Sequence, residues 1–186
     1  LASMKTIRWI QLLNWPIVKR DLLNKYPMIF DARIQWQTFP RLGIRIEEKK
    51  PWAMIIYGNN QDLISKDGVV LNQNMQDIEL PNSNIVVVKS NTQLVNTGRL
   101  NQGTLTTLKQ IEKGLHPIAL FNLQHILIEG DMVKLIESRG TVITLGKGDR
   151  VKEKLKKLKY FLGETRQKIT QIESIDIQLK KQVIIK

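Results

Sequence analysis

The hydrophobic period of the chain changes from about 3.6 to 2 at Tyr26-Pro27, and this change constrains the fold more than any other feature. Before it, apolar residues at helical spacing predict a helix from Ser3, an interruption at Pro16, and a second short helix to about Lys25. After it, apolar and polar residues alternate, which predicts two paired strands. The apolar positions of the two strands are Ala32, Ile34 and Trp36 in the first, and Leu42, Ile44 and Ile46 in the second.

A third extended run, Trp52 to Tyr57, precedes a hairpin-type turn at Gly58-Asn59-Asn60. Residues 1–57 therefore form a predicted helix–helix–hairpin unit. Such a unit buries one face of its sheet well only if a further strand joins it, and no strand precedes Ser3. We expect the opening strand of this unit to be missing with the N-terminus.

Residues 58–186 are expected to form a mostly antiparallel β unit that carries two helices, so the predicted fold class is α+β. A polar loop is expected over residues 90–104. One helix is predicted at 106–113, closed by Gly114, and a second, lysine-rich helix follows Gly148. The predicted strands are 62–64, 69–71, 85–89, 118–128, 132–137, 141–145 and a terminal extended stretch at 172–186.

Basic residues exceed acidic ones by 29 to 17, which gives a net charge of +12 and favours anionic partners. The excess lies at the two ends of the chain, whereas a nucleic-acid-binding domain more often concentrates it on one element with interleaved aromatic residues. The four tryptophans are therefore interpreted as packing residues rather than platforms for bases. Binding to nucleic acid stays open as the alternative function, on charge and aromatic content alone.

The densest basic segment, 147–159, has its apolar residues on one helical face. Its lysines are interpreted as the solvated face, with a patch for phosphate or lipid headgroups as the alternative. The apolar positions are Val151, Leu155, Leu158, Phe161 and Leu162.

Residues that carry out chemistry are scarce in this sequence. Cysteine is absent, which excludes disulfides, thiolate zinc sites and cysteine nucleophiles. His116 and His125 are not in a metal-ligand spacing, and Gly146-Lys147-Gly148 lacks both phosphate-binding glycine patterns. No apolar run reaches the roughly 20 residues that span a bilayer. We expect no enzymatic activity, no cofactor, no metal and no small-molecule substrate.

Several motifs, taken in order, resemble the FtsQ/DivIB family of bacterial cell-division proteins. Each motif is weak alone, but their order and spacing are fairly specific, and the first predicted helix is similar to that of cyanobacterial members. The resemblance is carried by residues 23–34 (LNKYPMIFDARI), 39–53 (FPRLGIRIEEKKPWA), 63–71 (LISKDGVVL), 80–81 (LP), 141–146 (TVITLG), 153–162 (EKLKKLKYFL) and 174–179 (SIDIQL).

The resemblance implies a non-enzymatic scaffold of the division machinery, anchored in the plasma membrane by one helix that lies upstream of the present chain. It implies an extracytoplasmic, periplasmic-side location at the septum, and partners of the FtsB/DivIC and FtsL type. It also implies a POTRA-like domain over residues 1–57, without its first strand, and a β domain over residues 58–186. The missing opening strand of the first unit agrees with the order of elements in a POTRA domain.

The same resemblance implies a binding site on the last strand, expected from Ser174 to Lys186 with room for a tight turn or bulge at 180–182, whose edge accepts a strand of the partner. The alternative for its apolar residues is a buried core strand. Basic side chains of the lysine-rich helix are expected to attract an acidic partner; these are Lys152, Lys156 and Lys159. The contact residues carried over from the family are Gln178, Leu179, Lys180, Gln182 and Ile184.

Overall fold

A computed structural model describes residues 14–38, 41–73, 85–116, 122–165, 172–178 and 183–185, in two compact units. The first unit is Leu1–Lys50 and the second is Pro51–Lys186. The division therefore falls seven residues before the expected boundary between 57 and 58. The reason is that the third extended run, Pro51–Tyr57, pairs with strands of the second unit. The helix predicted from Ser3 lies outside the described residues.

The first unit contains one described helix and a β-hairpin. Helix α1 (Trp15–Lys25) is the second short helix predicted from the sequence, and Pro16 lies in its first turn, where an N–H has no helical partner to lose. The predicted interruption of an earlier helix falls outside the described residues. Strands β1 (Ile29–Thr38) and β2 (Arg41–Glu48) pair antiparallel and bring Ala32 opposite Ile46. The predicted hairpin is confirmed, whereas a POTRA-like arrangement of this unit stays a prediction.

An ion-pair cluster at Asp31 ties α1 to β1. The Asp31 carboxylate contacts the Lys19 ammonium, and its second oxygen lies 2.6 Å from Arg33 Nε. Hydrogen bonds from Lys19 first, and from Arg33 second, lower the pKa of Asp31 from 3.8 to about 2.

A pH titration is expected to show the effect of this cluster. Because the folded-state pKa is depressed, its stabilisation is present above about pH 4 and is lost as the pH falls toward 2. In a carboxyl NMR titration the Asp31 midpoint should lie near pH 2, and it should rise in Lys19→Met and again in Lys19→Met/Arg33→Met. An unchanged midpoint in the double variant would show that the two cations do not set it.

The second unit is built on one nine-stranded mixed sheet. Its strands are β3 Pro51–Tyr57, β4 Asn60–Ser65, β5 Val70–Gln73, β6 Val86–Ser90, β9 Leu123–Glu129, β10 Met132–Glu137, β11 Val142–Lys147, β12 Ser174–Asp176 and β13 Ile184–Ile185. Across the sheet they lie in the order β13-β12-β11-β10-β9-β6-β3-β4-β5. Their pairings are antiparallel except for β3–β6, β6–β9 and β11–β12, which are parallel. The parallel pairs require crossovers, and two of these carry the helices.

The expected polar loop over residues 90–104 is not a loop throughout. It contains a small hairpin, β7 (Val95–Asn96) and β8 (Arg99–Leu100), and the start of a helix. Backbone bonds fix this hairpin to the start of β5, from Val70 N to Gly98 O and from Leu100 N to Gly68 O. The polar composition of the segment thus reflects turns and a helix cap rather than a lack of structure.

Two helices pack against each other in the second unit, α2 (Gln102–Leu115) and α3 (Val151–Thr165). Asn101 caps α2 by accepting a hydrogen bond from Gly103 N at 2.8 Å. Gly114 does not close α2 as predicted but lies inside it, where a side chain would overlap Leu155 of α3. Close approach of the two helices therefore explains this glycine.

The predicted apolar face of α3 is confirmed, and it joins the strands in one core. Along β10 and β11 buried residues alternate with half-buried ones, so one face of this part of the sheet is the covered face. Fully buried members of the core include Ile126, Leu135, Ile143, Leu145, Val151, Leu158, Ile175 and Ile177.

Candidate partner-binding edge

Strand β12 lies inside the sheet and is held on both sides. It runs parallel to β11, with Ile175 opposite Ile143, and the Ile177 N–H donates to Thr144 O at 3.1 Å. Ile175 and Ile177 have no exposed surface. The core-strand alternative therefore describes β12 correctly.

Strand β13 forms the edge of the sheet. It pairs antiparallel with β12, with Ile175 opposite Ile185 and Asp176 opposite Ile184, and no other described strand pairs with it. Its two isoleucines are each 45% exposed. The terminal stretch expected as one strand from Ser174 to Lys186, with a turn or bulge at 180–182, contains two short antiparallel strands, and the open edge belongs to the second. Among the described residues this edge therefore combines backbone groups without a pairing strand and exposed apolar side chains.

The site residues from the sequence fall on different parts of this structure. Ile184 lies on the edge strand, and Gln178 directly follows the residue that ends the pairing of β12 with β11. Leu179, Lys180 and Gln182 lie outside the described residues. Their assignment as contact residues stays a prediction.

Gln178 is held in place by its neighbours. Its backbone N–H and its side-chain Nε2 both donate to the Asp176 carboxylate, at 2.9 and 3.1 Å. Its side chain lies over Gly146, where an added Cβ would come within 2.6 Å of Gln178 Cγ. Gly146 has φ +73°, a left-handed conformation that favours glycine, so both its backbone and its missing side chain are needed here. The exposed Gln178 is therefore positioned beside the start of α3.

A basic cavity of about 210 Å³ lies at that point, lined by Gln178 and by residues around the first turns of α3. Lys154 is nearly buried and its ammonium donates to Lys147 O at 2.7 Å and to the Asp149 carboxylate at 2.9 Å. The hydrogen bond from Lys154 lowers the pKa of Asp149, which keeps this carboxylate charged beside the helix start. The basic residues that line the cavity are Lys147, Arg150, Lys154 and Lys157.

The three lysines predicted to attract a partner lie elsewhere on α3. Lys152, Lys156 and Lys159 are exposed and line a separate cavity with α2, so the structure does not bring them together with Gln178. The lysines beside Gln178 were not predicted, because helical spacing assigns all lysines of α3 to a single solvent-exposed face. A signal for them exists in Gly146, a glycine at the irregular end of β11, because Lys147 directly after it lines the cavity.

The two histidines have no catalytic setting within the described part of the chain. His116 caps the C-terminus of α2 and is exposed, and His125 is half-buried on β9. Burial, and then the charge of Lys89, lower the pKa of His125. Among the described residues no group of three or more acidic or histidine side chains is arranged to hold a metal ion. None of the described helices is long and apolar enough to cross a bilayer.

The fold and site define the class of this protein as an α+β domain with an open sheet edge beside a basic cavity. The family model described as "Cell division protein FtsQ/DivIB, C-terminal" matches residues 53–178, more than half of the chain. The chain therefore belongs to the FtsQ/DivIB family of cell-division proteins. A search of curated proteins gave no match.

Family membership confirms the resemblance and gives the chain a role in cell division, in a family of non-catalytic scaffolds that interact with other division proteins. The matched segment lies entirely within the second unit and ends at Gln178, before β13. It also begins within β3, which agrees with placing this strand in the second unit.

Proposed function

We propose that this protein is an extracytoplasmic scaffold of the septum that binds division proteins of the FtsB/DivIC and FtsL type by strand addition at the β13 edge. The observation that carries the proposal is β13 itself, a two-residue strand with exposed isoleucines at the end of a nine-stranded sheet. An added strand would gain main-chain hydrogen bonds for affinity and alternate side-chain contacts for register.

Charge supports the same site. The basic cavity at the start of α3 adjoins Gln178, and its Lys147 and Arg150 are exposed at its rim. An acidic segment before or after the added strand would be attracted there, which raises the association rate and fixes the direction of the strand. The net charge of +12 acts in the same sense over longer distances.

The proposal includes attachment to the plasma membrane by a helix upstream of this chain, with the described units on the outer side. It rests on membership of a family that is anchored in this way. Family membership also weakens the nucleic-acid alternative, whose support was net charge and aromatic content alone. Trp52, one of those aromatic residues, is buried in the core.

Deletion of residues 183–186 tests the edge site. We expect it to weaken binding of a purified FtsB/FtsL-type pair from the same organism by at least about tenfold, or about 1.4 kcal/mol, because the pairing edge is removed. Isothermal titration calorimetry measures the affinity.

The matched control is Ile184→Thr/Ile185→Thr, which keeps both backbone donors and the β-branched shape of the side chains. Its loss of affinity should be clearly smaller than that of the deletion. If the deleted protein melts like the parent and binds the pair equally well, the β13 edge is not the site.

A further inference from the structure

A second surface of the molecule has the form of a binding groove. It runs between α2 and α3, encloses about 360 Å³, and we call it the lysine groove. Its floor contains Gly114 and Leu155, where a side chain in place of Gly114 would overlap Leu155 of α3. Its rims carry Lys113 from α2 and Lys152, Lys156 and Lys159 from α3, all exposed.

The charge of the lysine groove is not compensated by the described residues. Its four rim lysines form no ion pair in the described part of the chain. The closest acidic residue in sequence on α2, Glu112, accepts hydrogen bonds from Trp52 and Lys66, and Glu153 faces the basic cavity at the start of α3. Lys156 Nζ lies 5.9 Å from the Tyr160 ring centre, a contact that leaves its charge intact. The groove therefore presents a local positive field.

The spacing of these cations indicates the shape of what they bind. Lys152, Lys156 and Lys159 follow an i, i+4, i+7 pattern, which places them in a row about 10 Å long on one side of α3. A row suits an extended anionic partner better than a single phosphate, which needs converging donors. A bilayer surface is bound best by a flat protein surface with widely distributed positive charge. The lysine groove is instead concave, with an apolar floor between basic rims.

We propose that the lysine groove binds an acidic amphipathic helix of a partner protein. Carboxylates at i, i+4 and i+7 of that helix would match the row on α3, and apolar residues between them would contact the partly exposed floor at Gly114. This site is separate from the β13 edge and does not depend on strand addition.

A designed peptide is a direct probe. The peptide is a helix of about 18 residues with glutamates at i, i+4 and i+7 beside a leucine stripe. The control peptide has the same composition in scrambled order. In fluorescence anisotropy we expect the patterned peptide to bind at least about tenfold more tightly than the scrambled one. Amide shifts in NMR should change along α2 and α3. Equal binding of the two peptides would overturn the proposal.

Two charge-reversal variants separate the groove from net charge. Lys152→Glu/Lys156→Glu/Lys159→Glu should lose at least about tenfold in affinity for the patterned peptide. Lys25→Glu/Lys50→Glu/Lys89→Glu changes the net charge equally at exposed positions elsewhere and should stay within about threefold of the parent. If both variants lose affinity equally, attraction is general and the groove is not the site.

Folding and the competing explanation are checked in the same series. If circular dichroism shows that the glutamate variant is unfolded, the glutamine triple variant replaces it, with the same expected direction of change. Vesicles with roughly 30% phosphatidylglycerol test a membrane surface, and strong binding to them without binding of the patterned peptide would overturn the proposal. The protein lacking residues 183–186 should still bind the peptide, so failure of the edge site and failure of the groove give different results.

Discussion

Truncation after Glu173 is expected to unfold the second unit, not only to remove a binding edge. It deletes β12, and with it Ile175 and Ile177, which have no exposed surface and pack in the core. Loss of a buried isoleucine side chain costs about 2–5 kcal/mol, so the two together approach the whole stability of an ordinary domain. Thermal unfolding followed by circular dichroism should show no cooperative transition of this unit.

Truncation after Gln178 is the matched comparison, since it keeps both isoleucines and removes only β13 and the residues before it. The second unit of the protein truncated after Gln178 should still melt cooperatively. A cooperative transition in both truncated proteins would show that β12 is dispensable for the fold. The comparison also means that deletions made to test binding at this edge have to start after Gln178, so that β12 is kept.

Trp52→Ala is expected to lower the free energy of unfolding by about 3–5 kcal/mol, because it empties a large volume in the core. The indole is only 7% exposed, and its Nε1 donates to Glu112 Oε1 on α2 at 3.0 Å. The side chain thus contributes both apolar burial and a bond between β3 and α2. Urea denaturation monitored by circular dichroism measures the change.

Trp52→Phe separates the two contributions. It keeps most of the ring volume and removes the N–H donor, while Glu112 still contacts Lys66, so no carboxylate is left alone. We expect a smaller loss than for the alanine variant, with about 1.5–3 kcal/mol from the hydrogen bond itself, because its acceptor is a carboxylate. Equal losses in the two variants would mean that the hydrogen bond, and not the packing, dominates.

Local patterns predicted the elements well where one periodicity was strict. The alternation around Ala32 and Ile46 gave the β1–β2 hairpin in its observed pairing, and the apolar row from Val151 to Leu162 gave the buried face of α3. The boundary between the units was not predictable in this way. Pro51–Tyr57 would have the same apolar pattern whether it paired with β2 or with β4 and β6. The spacing of apolar residues within a strand does not depend on which other strand pairs with it.

The candidate site was predictable in part for the same reason. Alternating Ile175 and Ile177 indicate the strand β12, a short run of β-branched residues indicates β13, and Ile184 is in a strand as expected. Which strand is covered depends on β11, which pairs in parallel with β12 after the long α3 crossover. Likewise, helical spacing predicts that the lysines of α3 lie on its solvated face, whereas Lys154 is nearly buried. It does not show that they face two different cavities, since that depends on where α2 and Gln178 lie.

The parallel pairing of β3, β6 and β9 has a consequence for how the second unit is made. The middle of the sheet joins three segments that are far apart in the chain, so the entropy of closing long loops must be offset before these contacts form. During synthesis β3 is made early, and its core residues Ala53 and Ile55 precede the strands that bury them in the finished fold. Nascent helices cannot complete that core by themselves. The core of this unit can close only when β9 and the strands that follow it are available, so we expect the domain to fold late and cooperatively.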